Sequence, residues 1–70
     1  MAWFDPTGTE ISIIEQIETA RFDETIDDAY RAGLMIQLWS QLERAHGGKV
    51  FSLMSPEGKV IERPFFVERE

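Results

Sequence analysis

Two helices packed on a C-terminal antiparallel β-hairpin, an α+β arrangement in one small domain, is the fold this sequence predicts. Three observations lead there. Two stretches in the first two thirds of the chain carry apolar residues at helical spacing behind helix-start residues. Gly47 and Gly48 then break the pattern, and the β-rich runs beyond them flank the turn sequence Ser55-Pro56-Glu57-Gly58. Seventy residues leave room for one domain spanning 1–70, and a hydrophobic fraction of 43% with 11% aromatics is enough to build its core.

The elements follow in order. Residues 1–8 combine Trp3 and Phe4 with Asp5-Pro6-Thr7-Gly8, which reads as an aromatic arm followed by a turn. Thr7 and Glu10 have capping-box spacing, so a first helix is expected over 9–22. In it Ile14, Ile17 and Arg21 share a stripe, with Ile13 and Ala20 beside it and Glu15 and Glu18 opposite. The alternation of Ile11 and Ile13 supports a competing short strand at 10–14, which would give a β-α-β-β order. Thr25 and Asp28 repeat the capping spacing, and acidic residues there suit the positive end of a helix dipole. The main helix is expected over 26–46, closing at Gly47-Gly48 where glycine accepts the left-handed conformation. A hairpin over 49–67 completes the chain, with Pro64 either on an edge or at a strand break because it donates no ladder hydrogen bond.

Composition excludes several classes of function. The chain has no cysteine, so disulfides, zinc-thiolate sites, iron–sulfur clusters and thiol nucleophiles are all ruled out. Its longest apolar run, 32–36, falls far short of the roughly 20 residues that cross a bilayer, so no membrane association is expected. The first residues lack the basic start and apolar run of a secretory signal, which makes the cytoplasm the expected location. A formal charge of −6 disfavours direct binding to nucleic acid, whose affinity comes from counterions released by Lys and Arg. All of that net charge falls in residues 1–35, where eight acids face only Arg21 and Arg31.

No constellation points to catalysis, and a non-enzyme is expected. The lone histidine, His46, sits in the last turn of the main helix, where the dipole already accounts for it and Glu43 lies one turn back. Asp23, Glu24, Asp27 and Asp28 cluster as hard-cation ligands do, yet they lack the alternation and central glycine of a calcium loop. Gly47-Gly48 follows a helix, whereas phosphate-binding glycines precede one. Ser40, Ser52 and Ser55 lack a nucleophile-elbow context. No cofactor or metal is therefore expected.

The middle of the main helix is more informative. Leu34, Met35, Ile36, Leu38, Trp39 and Leu42 spread over more than half its circumference, more than one small core readily covers. Either helix one and the hairpin sandwich it, or part of it meets a partner. The second reading places Tyr30, Met35 and Trp39 in an apolar anchor, rimmed by Glu24, Asp27 and Asp28. The function expected is a small acidic adaptor, inhibitor or regulator that binds another protein and forms a homodimer. The alternative is an acidic competitor of nucleic acid on a nucleic-acid-binding protein, or an accessory subunit of an enzyme complex.

Overall fold

The computed structural model describes residues 8–69, with side-chain environments through Val67. The aromatic arm before Gly8, Thr7 of the expected capping box included, lies outside the described residues. The element order is α1 (Gly8–Phe22), α2 (Asp28–His46), β1 (Ser52–Met54), β2 (Val60–Glu62) and a terminal 3-10 turn (Phe65–Arg69). This is the α+β fold of two helices on a C-terminal two-stranded sheet.

Residues 10–14 are helical, so the competing strand is overturned. The reason is burial: Ile13, Ile14, Ile17 and Ala20 all reach the core, which requires helical rather than alternating geometry. Arg21, expected on the same stripe, is exposed. The start of α2 also shifts, from 26 to Asp28. Asp27 is the N-cap, its Oδ1 accepting from the Tyr30 N–H at 2.7 Å. Thr25 instead belongs to the preceding loop, where its N–H and hydroxyl both donate to Asp23 Oδ1 at 2.9 and 2.6 Å. An aspartate two residues before a backbone N–H closes such a turn readily, and this fixes Thr25 outside the helix.

The helices run antiparallel, because each pairs its start with the other's end. At one end the Arg31 guanidinium donates to the carbonyls of Ala20, Arg21 and Ile26, at 2.5, 3.1 and 3.3 Å. These include carbonyls that the end of α1 leaves without intrahelical partners. At the other end His46 Nδ1 lies 3.3 Å from Glu10 Oε2.

α2 closes as expected. Gly47 has φ of 90°, and the N–H groups of Gly47 and Gly48 both donate to the Glu43 carbonyl. The chain then turns back along α2, where two of its side chains fix Val50. Trp39 Nε1 donates to the Val50 carbonyl at 2.9 Å, and the Val50 N–H donates to Glu43 Oε2 at 3.1 Å. A segment entering the core thus leaves neither backbone group of Val50 unpaired.

In the hairpin Ser52 faces Glu62, Leu53 faces Ile61 and Met54 faces Val60. Leu53 and Ile61 point inward, while their strand neighbours are exposed. The turn forms at Ser55-Pro56-Glu57-Gly58, with the Gly58 N–H donating to Ser55 O and Gly58 at φ 86°. The second strand stops at Glu62 and does not restart after Pro64. Pro64 supplies no ladder donor; its carbonyl accepts from Val67 N–H, which winds the chain into the 3-10 turn and buries Val67.

Ile13, Ile14, Ile17, Ala20, Met35, Leu38, Trp39, Leu42, Val50, Leu53, Ile61 and Val67 make one core. Every element contributes to it. The broad apolar girth of α2 is therefore largely consumed within the chain, with α1 on one side and the hairpin and 3-10 turn on the other.

Candidate functional site: the groove between the helices

The sequence-based anchor divides on folding. Trp39 is fully buried and Met35 is 2% exposed, so neither offers surface to a partner. Both sit on the α2 stripe at positions 35, 38, 39 and 42, which faces α1 and the hairpin together, and that placement removes them from the anchor. Tyr30, one and a half turns earlier, is 59% exposed and keeps its position on the surface.

Tyr30 lines an open groove of about 540 Å³ along the seam of the two helices. One wall comes from α2 and the loop before it: Ile26, Tyr30, Leu34 and Leu38, a stripe at four-residue spacing. The other comes from α1 and its exit: Ser12, Glu15, Gln16, Thr19, Ala20 and Asp23. The walls differ in chemistry because the helices turn different edges toward the seam. α2 presents the margin of its apolar girth, where Leu38 belongs to the core and Leu34 packs against it. α1 presents the margin of its polar face, with Glu15 and Thr19 exposed. From Tyr30 to Leu38 the apolar wall runs about 12 Å, at a rise of about 1.5 Å per residue.

The groove carries two carboxylates, Glu15 and Asp23, and no basic residue among the described residues lines it. Hydrogen bonds from the Thr25 hydroxyl and the Thr25 N–H hold the Asp23 carboxyl below its ordinary value of 3.8, so it is ionised near neutrality. Arg31 lends its charge to lowering the Asp23 carboxyl, while its guanidinium donates to the carbonyls that join α1 to the loop. Arg21 stacks over the Phe22 ring, 5.0 Å from its centroid.

The predicted acidic rim is only partly assembled here. Asp27 adjoins the groove through Ile26 but is committed to capping α2. Asp28 lies on a different side, lining a smaller recess with Arg31, Ala32, Met35, Glu62 and Phe66, and stands 3.9 Å from Arg31 Nε. Glu24 is exposed in the loop. Among the described residues no group of three or more potential ligands is placed to hold a metal ion. No helix of the described residues is long and apolar enough to cross a membrane.

Sequence reasoning about core girth passed over the wall formed by Ile26, Leu34 and Leu38. The available clue was the repeat of apolar and aromatic residues at 26, 30, 34 and 38, displaced from the 35–39–42 core stripe by a little more than a quarter turn.

Other polar side chains serve the fold. Glu43, one turn before His46, accepts from Arg63 Nε at 2.5 Å and Nη2 at 3.2 Å, joining α2 to the chain after β2. His46 meets Glu10, which is 3% exposed at the head of the α1 core stripe. Near the end of α1, Glu18 Oε2 is buried without a hydrogen-bond partner among the described residues. The Lys59 ammonium stands close by, 4.3 Å from the Phe22 ring centroid. No protein-family model, curated protein or solved structure matches this chain, so the groove's own geometry and charge carry the functional reading.

Proposed function

We propose that this chain is a non-catalytic protein-binding module, a small acidic adaptor or inhibitor that docks on a larger protein. One observation carries the reading: the seam of the two helices is an open groove with an apolar wall and a carboxylate-bearing wall, and no base among the described residues lines it. Apolar area there gives affinity on contact, and like-signed charge beside it orients a basic partner and raises its on-rate. The basic surface of a nucleic-acid-binding protein fits this description, and occupying it would compete with nucleic acid. A cytoplasmic setting belongs to the same proposal, supported by the absence of cysteine. So does a homodimer. With Met35 and Trp39 buried, its support is now the exposed Phe51, Met54, Val60 and Phe65 of the hairpin region.

The test is affinity capture of partners by the full chain from its source cells, with and without nuclease, at low and high salt. One stoichiometric partner retained after nuclease and weakened by salt is the expected result. Capture of nothing under any of these conditions overturns the reading. Sedimentation equilibrium of the isolated chain decides the homodimer.

A further inference from the structure

We infer that the groove between α1 and α2 is built to take an amphipathic basic helix, a segment of the partner that lies along the seam as a third helix. The inference rests on the protein-binding reading and deepens it by naming the chemistry of the bound segment.

Shape supplies the first argument. The groove follows two antiparallel helices, so its long axis is parallel to both and its apolar wall repeats every fourth residue at 26, 30, 34 and 38. A helix presents side chains with the matching repeat at i, i+3 or i+4, and i+7. An extended strand matches poorly, because it alternates every second residue and needs an unpaired sheet edge, which two helix faces do not offer.

Charge supplies the second. The wall opposite the apolar stripe holds Glu15 and Asp23 and, among the described residues, no base. A helix seated with its apolar stripe on Tyr30 and Leu34 turns one flank toward α1, and Lys or Arg on that flank meets both carboxylates. The charge of Arg31 reaches Asp23, but three carbonyls hold its guanidinium, so it makes no contact with either carboxylate that a bound Lys or Arg would have to displace. An acidic flank would face like charge across a partly desolvated seam, which costs affinity and excludes acidic helices. Tyr30 is the anchor, since it is the most exposed aromatic in the groove and its ring stacks on Arg as readily as on an apolar side chain.

The experiment selects binders from a displayed library of helix-forming 15-residue peptides against the immobilised full chain, then measures the enriched peptides by fluorescence anisotropy. Two substitutions probe the walls, Tyr30→Ala and Glu15→Lys, both at exposed positions, with circular dichroism and thermal melting to confirm folding. The expected outcome is enrichment of peptides with apolar residues at helical spacing and Lys or Arg on one flank. Their affinity should fall at least tenfold on Tyr30→Ala, and Glu15→Lys should both weaken binding and flatten its salt dependence. Enrichment of acidic, extended or Pro-rich peptides overturns the inference, and so does binding that neither substitution alters. If the chain itself fills the seam, sedimentation equilibrium shows a dimer that Tyr30→Ala dissociates, which also overturns it. The cellular capture separates the two proposals. A partner held equally by the wild type and the Tyr30→Ala, Glu15→Lys double variant leaves the binding module standing and removes the groove.

Discussion

Arg31 is the residue whose role on folding was least expected from its sequence context. It forms a surface ion pair with Asp28, 3.9 Å from its Nε, but the guanidinium also donates to the Ala20, Arg21 and Ile26 carbonyls. A planar group with five donors suits that task, because it satisfies several carbonyls at one helix end where a lysine ammonium is a single compact charge. Replacing Arg31 with Met is expected to lower stability by roughly 1–3 kcal/mol, with Lys restoring only part of it. Urea unfolding followed by circular dichroism measures both; an unchanged midpoint would show that these carbonyls are satisfied by water instead. Trp39 makes a second residue-scale prediction. Trp39→Phe keeps most of the ring's packing but strips the Val50 carbonyl of its donor, so a loss of about 1–3 kcal/mol is expected. Trp39→Ala opens a cavity as well, and about 3–5 kcal/mol should go. Because Trp39 is fully buried, both changes act on stability before they act on any partner. The acidic residues separate in the same way. Asp27 caps α2, so its reversal disturbs the helix start, and a test of electrostatic steering belongs on Glu24 and Asp28, which are exposed.

At the scale of elements, Glu43 decides how α2 meets the hairpin. Burial pushes its carboxyl upward, but hydrogen bonds from Arg63 and from the Val50 N–H, with the charges of Arg63 and Lys49, outweigh this and leave it below the ordinary value of 4.5. A carboxyl lowered by folding stabilises the fold fully above its unfolded value. That contribution disappears as pH falls from about 4.5 through the lower folded value, because the unfolded chain takes up the proton first. Stability measured by urea unfolding should therefore drop on acidification below that point, and Glu43→Gln should make the drop shallower at the cost of lower stability near neutrality. An equally steep drop in Glu43→Gln would assign the acid sensitivity to other carboxylates. The end of α2 offers a simpler check. A Cβ at Gly47 meets nothing within 4 Å, so Gly47→Ala tests the φ of 90° alone. About 1–2 kcal/mol should be lost.

Across the whole molecule the uneven charge matters more than any single pair. The net charge of −6 resides in the half of the chain that forms α1, the loop and the start of α2. Two bases offset only part of it there: Arg31 pairs with Asp28, and Arg21 lies over Phe22. Self-repulsion of this kind is screened by salt, so the melting temperature is expected to rise as sodium chloride goes from about 10 mM to about 500 mM, where the Debye length shrinks from about 30 Å to a few ångströms. A falling melting temperature would mean that ion pairs such as Arg63–Glu43 outweigh the repulsion. The same screening should slow association with a basic partner, which makes salt a lever with opposite signs on stability and on binding.

Most of the fold was legible because it follows from local chemistry. The apolar spacing of α1 and α2, the left-handed glycine at 47 and the Pro-Glu-Gly turn each act within a few residues, where the sequence is also the neighbourhood. The refinements came from competition between neighbours: Thr25 and Asp27 both had cap chemistry, and Asp23 claimed Thr25 for the loop. Pro64 announced a break, but only the burial of Val67 decided that a 3-10 turn follows it rather than more strand. By itself, then, the sequence determined the α+β class, the order of the elements and the acidic first half. Tertiary structure alone decided which part of the α2 girth is core and which is groove. Residues 35, 39 and 42 and residues 30 and 34 lie on neighbouring stripes that meet at Leu38, and only the positions of α1 and the hairpin determine which one is covered. Burial depends on what packs alongside, and that information lies in distant parts of the chain.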